Sequence, residues 1–581
     1  MERKKISDIF TKSRELRIPF FQRNYVWGKD SDGRYDTRNW DRLLNDIISI
    51  NNSDNNKSHF TGVLILKDLP TGTGEVDSIR QLVDGQQRIT TIILFFKALC
   101  ELNNINHKFK QYFFNANDKI ILQHNHLDKE IFEKIVNDEL DDKVEEKYKD
   151  SLILQCYKYF KNNKELSKIE FSKVISKIEF VIIDIKKEEN EQEIFDSINS
   201  LGVDLTPSQL LKNYIFTEND LEFYEKTWKK TFEDENNSNY WNDFIVDNRM
   251  NLDYLLYSFL VITKSQYNNT DSNYIKIGDL FNQYKEYLEK EGILSNINNK
   301  QKFINELIEY AEIYKENIGK DLKDVEPYVK RINIIIFNLE VSPLIPYILY
   351  ILKNSQEQEN IMQYIEKYII RQNICGVSTK NYNNIFIDLI KKSINTYSTI
   401  KEYFTNKDGQ DLISNDEMIL NNINKTFNNK DAKVILYLLE MYLRNERKDI
   451  EILKNISEFD LEHIMPKKWL DHWNYNLPKN NGKTEEENKQ ERNSSIYKLG
   501  NLTILTDSLN REIKHADWKT KRDGKYNSKG KRIHGLKDYA NNLRVFSIYD
   551  NNKKEIEDWN EKTINDRTKW LFDQILNIWK I

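Results

Sequence analysis

Apolar and polar positions follow three different rhythms along this chain. Over roughly the first 215 residues, short strand-like and helix-like patterns alternate. Trp40 to Ile50 repeats apolar residues at three and four spacing, which predicts an amphipathic helix. His59–Asp68 (HFTGVLILKD) is a continuous apolar run of strand length, and Phe180–Ile185 (FVIIDI) is another. Ile79–Val83 reads as a strand that stops at Asp84-Gly85 and passes straight into an apolar helix over Ile92–Leu102. Thr206 followed by Pro207 predicts an N-cap and first helical position.

From Phe216 to Arg447 the rhythm is helical almost throughout. Leu252–Val261, Phe303–Tyr314, Val329–Leu339, Ile345–Leu352, Ile361–Ile370 and Val434–Tyr442 each carry it. Asn/Lys-rich joints such as Ser295–Lys300 and Asn421–Asp431 separate them, and the whole reads as a helical spacer or sensor. Trp228 and Trp241 read as core residues of this region. The last part returns to alternation. Glu458–Ile464 and Leu502–Thr506 predict two strands, with a charged loop over Lys479–Asn493 between them. The pattern therefore predicts an α+β, mainly helical protein in three domains, 1–215, 216–447 and 448–581.

Composition narrows the function classes only a little. Lysine and arginine total 87 against 92 aspartate and glutamate, a net charge of −5, so any polyanion must meet local patches rather than a global positive field. The three cysteines, Cys100, Cys156 and Cys375, have no metal-ligand spacing and suit a reducing compartment. No apolar run is long enough to cross a bilayer, and the first residues lack a leader-like apolar stretch. The expectation is a soluble, cytoplasmic protein without a membrane partner.

Two stretches carry candidate chemistry. A strand that ends at Asp84-Gly85 and turns into a helix leaves backbone N–H groups free at the helix start, a natural anion site. Arg88 adds a bidentate phosphate partner, Gly85 permits close approach, and Gln86, Gln87, Thr90 and Thr91 supply neutral hydrogen bonds. Arg23, in the aromatic segment Ile18–Trp27, is a further phosphate candidate. His124 and His126 lie two apart without a third ligand nearby and read as solvated loop residues.

The second stretch is Phe459–Pro466 (FDLEHIMP), which sets Glu462 directly beside His463. Downstream come Asn501, at the head of the Leu502–Thr506 strand, and Asn510, placed in the first turn of a following helix. Hydrolysing a phosphodiester requires a base for the attacking water and charge stabilisation at the departing oxygen. A neutral histidine with a pKa near ~6.5 suits the base. One Mg²⁺ or Mn²⁺ needs only a carboxylate and an amide oxygen from the protein, because it keeps most of its waters. Glu462 and Asn510 are the candidate metal ligands, Asp460 the alternative carboxylate, and Asn501 an orienting residue for His463 or a pin for the hairpin. The basic stretch after Asn510, with Arg511, Lys514, Lys519, Lys521 and Arg522 interleaved with Trp518 and Tyr526, reads as a phosphate-backbone footprint.

These motifs together resemble the GmrSD-type modification-dependent restriction systems. IPFFQRNYVW, VDGQQRITT and the segment Ile194–Asn213 (IFDSINSLGVDLTPSQLLKN) are similar to the family's N-terminal domain, a ParB-like nucleotide-binding fold. EHIMP, LGNLTILT, Asn510 and the closing segment Ile556–Trp579 resemble its C-terminal nuclease half, an HNH or ββα-metal (His-Me) finger. The resemblance implies binding and hydrolysis of a nucleoside triphosphate at Arg23, Asp84, Gly85, Gln86, Gln87, Arg88 and Thr90, with Asp84 and Arg88 acting at the phosphates. It implies metal-dependent cleavage of foreign, modified double-stranded DNA through His463, with a homo-oligomer left open. A ParB-like nucleotide switch on DNA with a non-cleaving finger is the competing reading, and an RNA-directed nuclease a third.

Overall fold

The computed structural model describes all residues except 1, 12–13, 20–21, 23, 29–34, 54–57, 70–77, 126–127, 186–205, 218–219, 247–248, 268–276, 407–411, 445–452, 475–476, 479–481, 507–515, 527–529, 541–542 and 550–553. It forms two compact units, residues 1–225 and 226–581.

The first unit is built on a six-stranded mixed sheet. Its strands are β1 (Glu2–Lys5), β2 (Arg14–Arg17), β3 (His59–Asp68), β4 (Ser78–Asp84), β5 (Leu122–Gln123) and β6 (Ile178–Ile185), in spatial order β1-β6-β3-β4-β2-β5. The ten-residue β3 runs parallel to β6 and antiparallel to β4. Its register against β6 shifts between Phe60 and Gly62, where Gly62 takes φ +132°, a conformation that glycine adopts without strain. Around the sheet lie the amphipathic α1 (Arg38–Asn52), whose Trp40 is fully buried, and α2 (Gln86–Leu102). In α2 every residue from Ile89 to Cys100 is buried, so a helix that is apolar all round sits at the centre of the unit's core. Of the third family-like block, residues up to 205 lie outside the described part. Its end is a helix over Pro207–Ile215, opened by a reciprocal cap between Thr206 and Gln209 with proline in the first turn.

The second unit contains the helical region, and the expected helices all form. Among them are α3 (Asn251–Tyr267), α4 (Pro327–Asn338), α5 (Gln358–Ile374) and α6 (Asn429–Arg444). Trp228 and Trp241 are buried and pack edge-on against Phe232 at 4.9 and 5.1 Å. Two stretches expected as loops are helical instead. The helix Ile297–Asn317 starts inside the Ser295–Lys300 joint because the Asn296 side chain caps it, accepting from Asn298 N at 2.8 Å. Within Lys479–Asn493, Thr484 and Glu487 form a capping box that opens a helix over Glu485–Ser495. That helix carries Arg492 inward to a buried ion pair with Glu561.

The boundary expected at 447/448 falls inside this second unit. Buried carboxylates tie the helices to the last residues of the chain. Glu366 on α5 accepts from Arg331 Nε at 2.8 Å, from Tyr442 Oη at 3.1 Å and from Trp579 Nε1 at 2.9 Å. Glu440 on α6 accepts from the backbone N–H groups of Arg544 and Val545 at 2.7 and 2.8 Å. An ionised carboxylate is kept in a core only when such donors satisfy it. The helical region is therefore a packed scaffold for the strands that follow, rather than a spacer leading to them.

Candidate active site

The strand β7 (Phe459–His463) pairs antiparallel with β8 (Leu502–Thr506), placing His463 opposite Leu502 and Glu462 opposite Thr503. Strand alternation sends Glu462 and His463 to opposite faces, yet both are buried, each 8% exposed. The face carrying Phe459 meets α6, where Tyr437 lies 5.9 Å away ring to ring. The opposite end of the pair is clamped by α8 (Glu561–Ile578). Gly500 lies so close to this helix that a Cβ would fall 2.1 Å from Ile564 O, and Arg567 donates to Gly500 O at 2.6 Å and Leu502 O at 2.8 Å. Burial among carbonyls pushes the Arg567 pKa down to about 9.

Asn501 pins the hairpin. Its amide oxygen accepts from Met465 N at 2.9 Å and Trp559 Nε1 at 3.1 Å, while its nitrogen donates to Met465 O at 3.0 Å and Ile496 O at 2.9 Å. All four contacts are to groups other than the His463 ring, so Asn501 acts on the histidine through the backbone two residues beyond it.

His463 lies in a buried setting. Its ring meets Tyr497 edge-on at 5.6 Å, and its buried Nε2 has no hydrogen-bond partner among the described residues. Burial first, then the ammonium groups of Lys467 and Lys521, lowers its pKa to about 4. At neutral pH the ring is uncharged. A buried polar atom left without a partner is rare enough in a folded core to mark a place where a missing group belongs.

The most consequential departure from expectation is Lys521. It is completely buried rather than on a DNA-facing surface, and its ammonium group forms an ion pair with Glu462 Oε1 and donates to His463 O at 2.9 Å. The cause lies in α7 (Trp518–Asp523). Trp518 and Lys521 stand three apart on one helical face. Trp518 is buried against Trp559 at 5.1 Å and donates to Ile556 O at 3.0 Å, so the same face carries Lys521 inward. That three-residue spacing is the only sequence signal of its placement. Arg522 is likewise engaged inside the protein, with Asp523, with Glu555 at 3.1 Å and with Ile556 O at 3.2 Å. Lys519 is exposed, as are Lys525, Tyr526, Lys531 and Arg532 around a short hairpin, β9 (Lys525–Tyr526) with β10 (Arg532–Ile533). Asn510, Arg511 and Lys514 lie outside the described residues.

The donor chemistry fits one hard divalent cation sparingly. Glu462 offers a buried carboxylate, although its Oε1 is already held by Lys521. Asp460 stands on the same side of β7 and is exposed. Among the described residues no group of three or more His, Cys, Asp or Glu converges. That is a set for an ion that retains most of its water, not for a protein cage.

In the first unit, β4 ends at Asp84, Gly85 takes φ +102°, and α2 starts at Gln86, as the strand-to-helix turn requires. Arg88 Nη2 lies 3.1 Å from Asp84 Oδ2, both half-exposed, and the guanidinium passes over Gly62, where a Cβ would meet it at 2.0 Å. This glycine in the middle of a strand is explained by that close approach. Other expected nucleotide contacts turn inward. Gln87 Oε1 accepts from Val26 N at 2.8 Å, and its amide nitrogen donates to Asn24 O at 3.2 Å, so it holds the aromatic segment against the helix start. Thr90 Oγ1 is bonded to His124 Nε2 at 2.9 Å, and Thr91 Oγ1 to Tyr25 Oη at 2.6 Å. His124 is thus no solvated loop residue: its ring packs on Phe132 at 4.3 Å and burial lowers its pKa. Gln86 is buried, and Arg23 and His126 lie outside the described residues.

Asp128 completes this clamp, accepting from Tyr25 N at 2.6 Å, and burial raises its pKa to about 6 against the smaller opposing effect of that hydrogen bond. A carboxyl raised in the folded state holds its proton where the unfolded chain has lost it. Its contribution is full below the unfolded value and fades as pH rises through about 6, by about 3 kcal/mol at most. Asp128→Asn is expected to flatten that part of the stability curve between pH 4 and 6. Chemical denaturation of both proteins across that window checks it, and equal slopes would refute the assignment.

Residues 6–216 match the family model described as the GmrSD restriction endonuclease, N-terminal domain, and residues 412–574 match that of the GmrSD restriction endonucleases, C-terminal domain. The two halves together define a restriction endonuclease. The chain belongs to the GmrSD restriction endonucleases, with both halves on one polypeptide. The second match begins before α6, in keeping with the packing of that helix on β7 and β8. No curated relative matches the chain. No helix among the described residues is long and apolar enough to cross a membrane.

Proposed function

We propose that this restriction nuclease is an HNH-type, metal-dependent endonuclease that cuts foreign, modified double-stranded DNA under the control of a nucleoside triphosphate. The observation that carries the reading is the buried Nε2 of a neutral His463, without a partner among the described residues, on the residue next in sequence to the buried Glu462. His463 takes the proton of the attacking water at Nε2. Glu462, with Asn510 from the segment beyond β8, would hold Mg²⁺ or Mn²⁺, which would supply Lewis-acid stabilisation of the departing oxygen. Asn501 and Arg567 keep the two strands in register, and Tyr497 packs edge-on against the ring of His463. The exposed cations Lys519 and Lys525 offer a phosphate-backbone contact.

In the first unit, the turn Asp84-Gly85 with Arg88 binds the phosphates, while Gln87, Thr91 and Asp128 hold the segment that carries Arg23. Arg88→Ala is expected to lower nucleotide hydrolysis by at least about tenfold, as loss of a charge-assisted phosphate contact of roughly 1.5–3 kcal/mol requires, and Asp84→Ala is expected to lower it too by freeing the Arg88 guanidinium that Asp84 holds at 3.1 Å. Phosphate release by the purified variants measures this, and unchanged turnover in Arg88→Ala removes the turn from the nucleotide site. The decisive comparison for the whole reading is cleavage of modified and unmodified phage DNA, and of RNA, in Mg²⁺ with and without each triphosphate. Cutting of RNA alone overturns the DNA assignment, and equal cutting with and without every triphosphate overturns nucleotide control.

A further inference from the structure

We propose that Lys521 is a tethered cation that holds the Glu462 carboxylate until a divalent ion displaces it, so that ion pair and metal site are alternatives at the same oxygen. This rests on the reading of Glu462 as a metal ligand and goes beyond it by assigning the competitor.

Three observations converge. The ammonium group of Lys521 pairs with Glu462 Oε1, and the lysine is completely buried. Its second contact, 2.9 Å to His463 O, fixes it to the residue whose Nε2 has no partner among the described residues. Its backbone is held by an independent anchor, Trp518 on the same face of α7, with Asp517 capping the helix by accepting from Thr520 N at 3.0 Å. Lysine, unlike arginine, ends in a compact point charge on a flexible four-carbon stem, so the head can withdraw while the helix stays in place. A dication brought to the same oxygen is repelled by that charge at a few ångströms, an interaction that falls only as the inverse of distance.

The consequence is a metal affinity set below what Glu462 alone would give. Mn²⁺ alone serves as the probe, with binding to the full chain read from the electron paramagnetic resonance of the free ion and without any DNA. Wild type is expected to show one Mn²⁺ site that Glu462→Gln removes. Lys521→Met is expected to bind Mn²⁺ about tenfold more tightly, and Lys521→Arg several-fold more weakly, because a guanidinium grips the carboxylate through two hydrogen bonds. Circular dichroism and melting of each variant confirm the fold. Should Lys521→Met not fold, the Lys521→Arg arm decides, and affinity equal to wild type there overturns the proposal. Unchanged or weaker binding in folded Lys521→Met overturns it too, with the metal reading intact. A wild type without any Glu462-dependent Mn²⁺ site overturns both.

Discussion

His463→Ala is expected to slow DNA cleavage by about 10²–10⁴-fold, the range that a positioned general base contributes, while triphosphate hydrolysis by the same protein continues. The effect is placed on chemistry and not on folding by the environment of the ring. Among the described residues its Nε2 makes no hydrogen bond whose loss would leave a neighbour unsatisfied, and its ring packs edge-on against Tyr497. Removing the imidazole therefore costs packing but orphans nothing through Nε2. Single-turnover cleavage in saturating Mg²⁺ separates the chemical step from binding. A variant that cuts at the wild-type rate would end the assignment of His463 as the base.

Asn501→Ala is expected to destabilise the second unit by at least about 3 kcal/mol, since each buried polar group left without its partner costs roughly 1–3 kcal/mol and part is recovered by relaxation. Four groups lose their partner at once: the N–H and C=O of Met465, the carbonyl of Ile496 and the indole N–H of Trp559. All lie in the interior with Asn501, which has no exposed surface. Urea unfolding followed by tryptophan fluorescence gives the stability, and Trp559 is itself one of the orphaned donors. A loss below about 1 kcal/mol, the worth of a single ordinary hydrogen bond, would mean that β7 and β8 are held by α6 and α8 alone. Because the Asn501 contacts reach Met465 and not the His463 ring, cleavage in this variant should recover at low temperature, where the hairpin refolds, whereas His463→Ala stays inactive at every temperature.

The strand pair carrying the candidate site was legible because its signals are local. Alternation over Glu458–Ile464 and the β-branched run of Leu502–Thr506 define strands whatever they pack against. The Asp84-Gly85 turn was legible for the same reason, since a positive φ followed by an apolar helix leaves few other conformations. The capping box at Thr484 and Glu487 was equally local and shows that the charged stretch around it is a helix, although its density of charge reads as a loop.

What the sequence by itself determined is therefore the order of elements and the family to which the two halves belong. Both follow from patterns contained within ten or twenty consecutive residues. Only the tertiary structure decided what the polar residues touch. Glu462 and Lys521 are 59 residues apart, Asn501 and Trp559 are 58, and Gln87 and Val26 are 61. Over such separations local propensity carries no information, and packing chooses the partners. The run of cations after β8 looked like one basic surface. A tryptophan three residues before Lys521 turned that lysine into the core and placed its charge on Glu462, because a helix buries a face rather than a stretch.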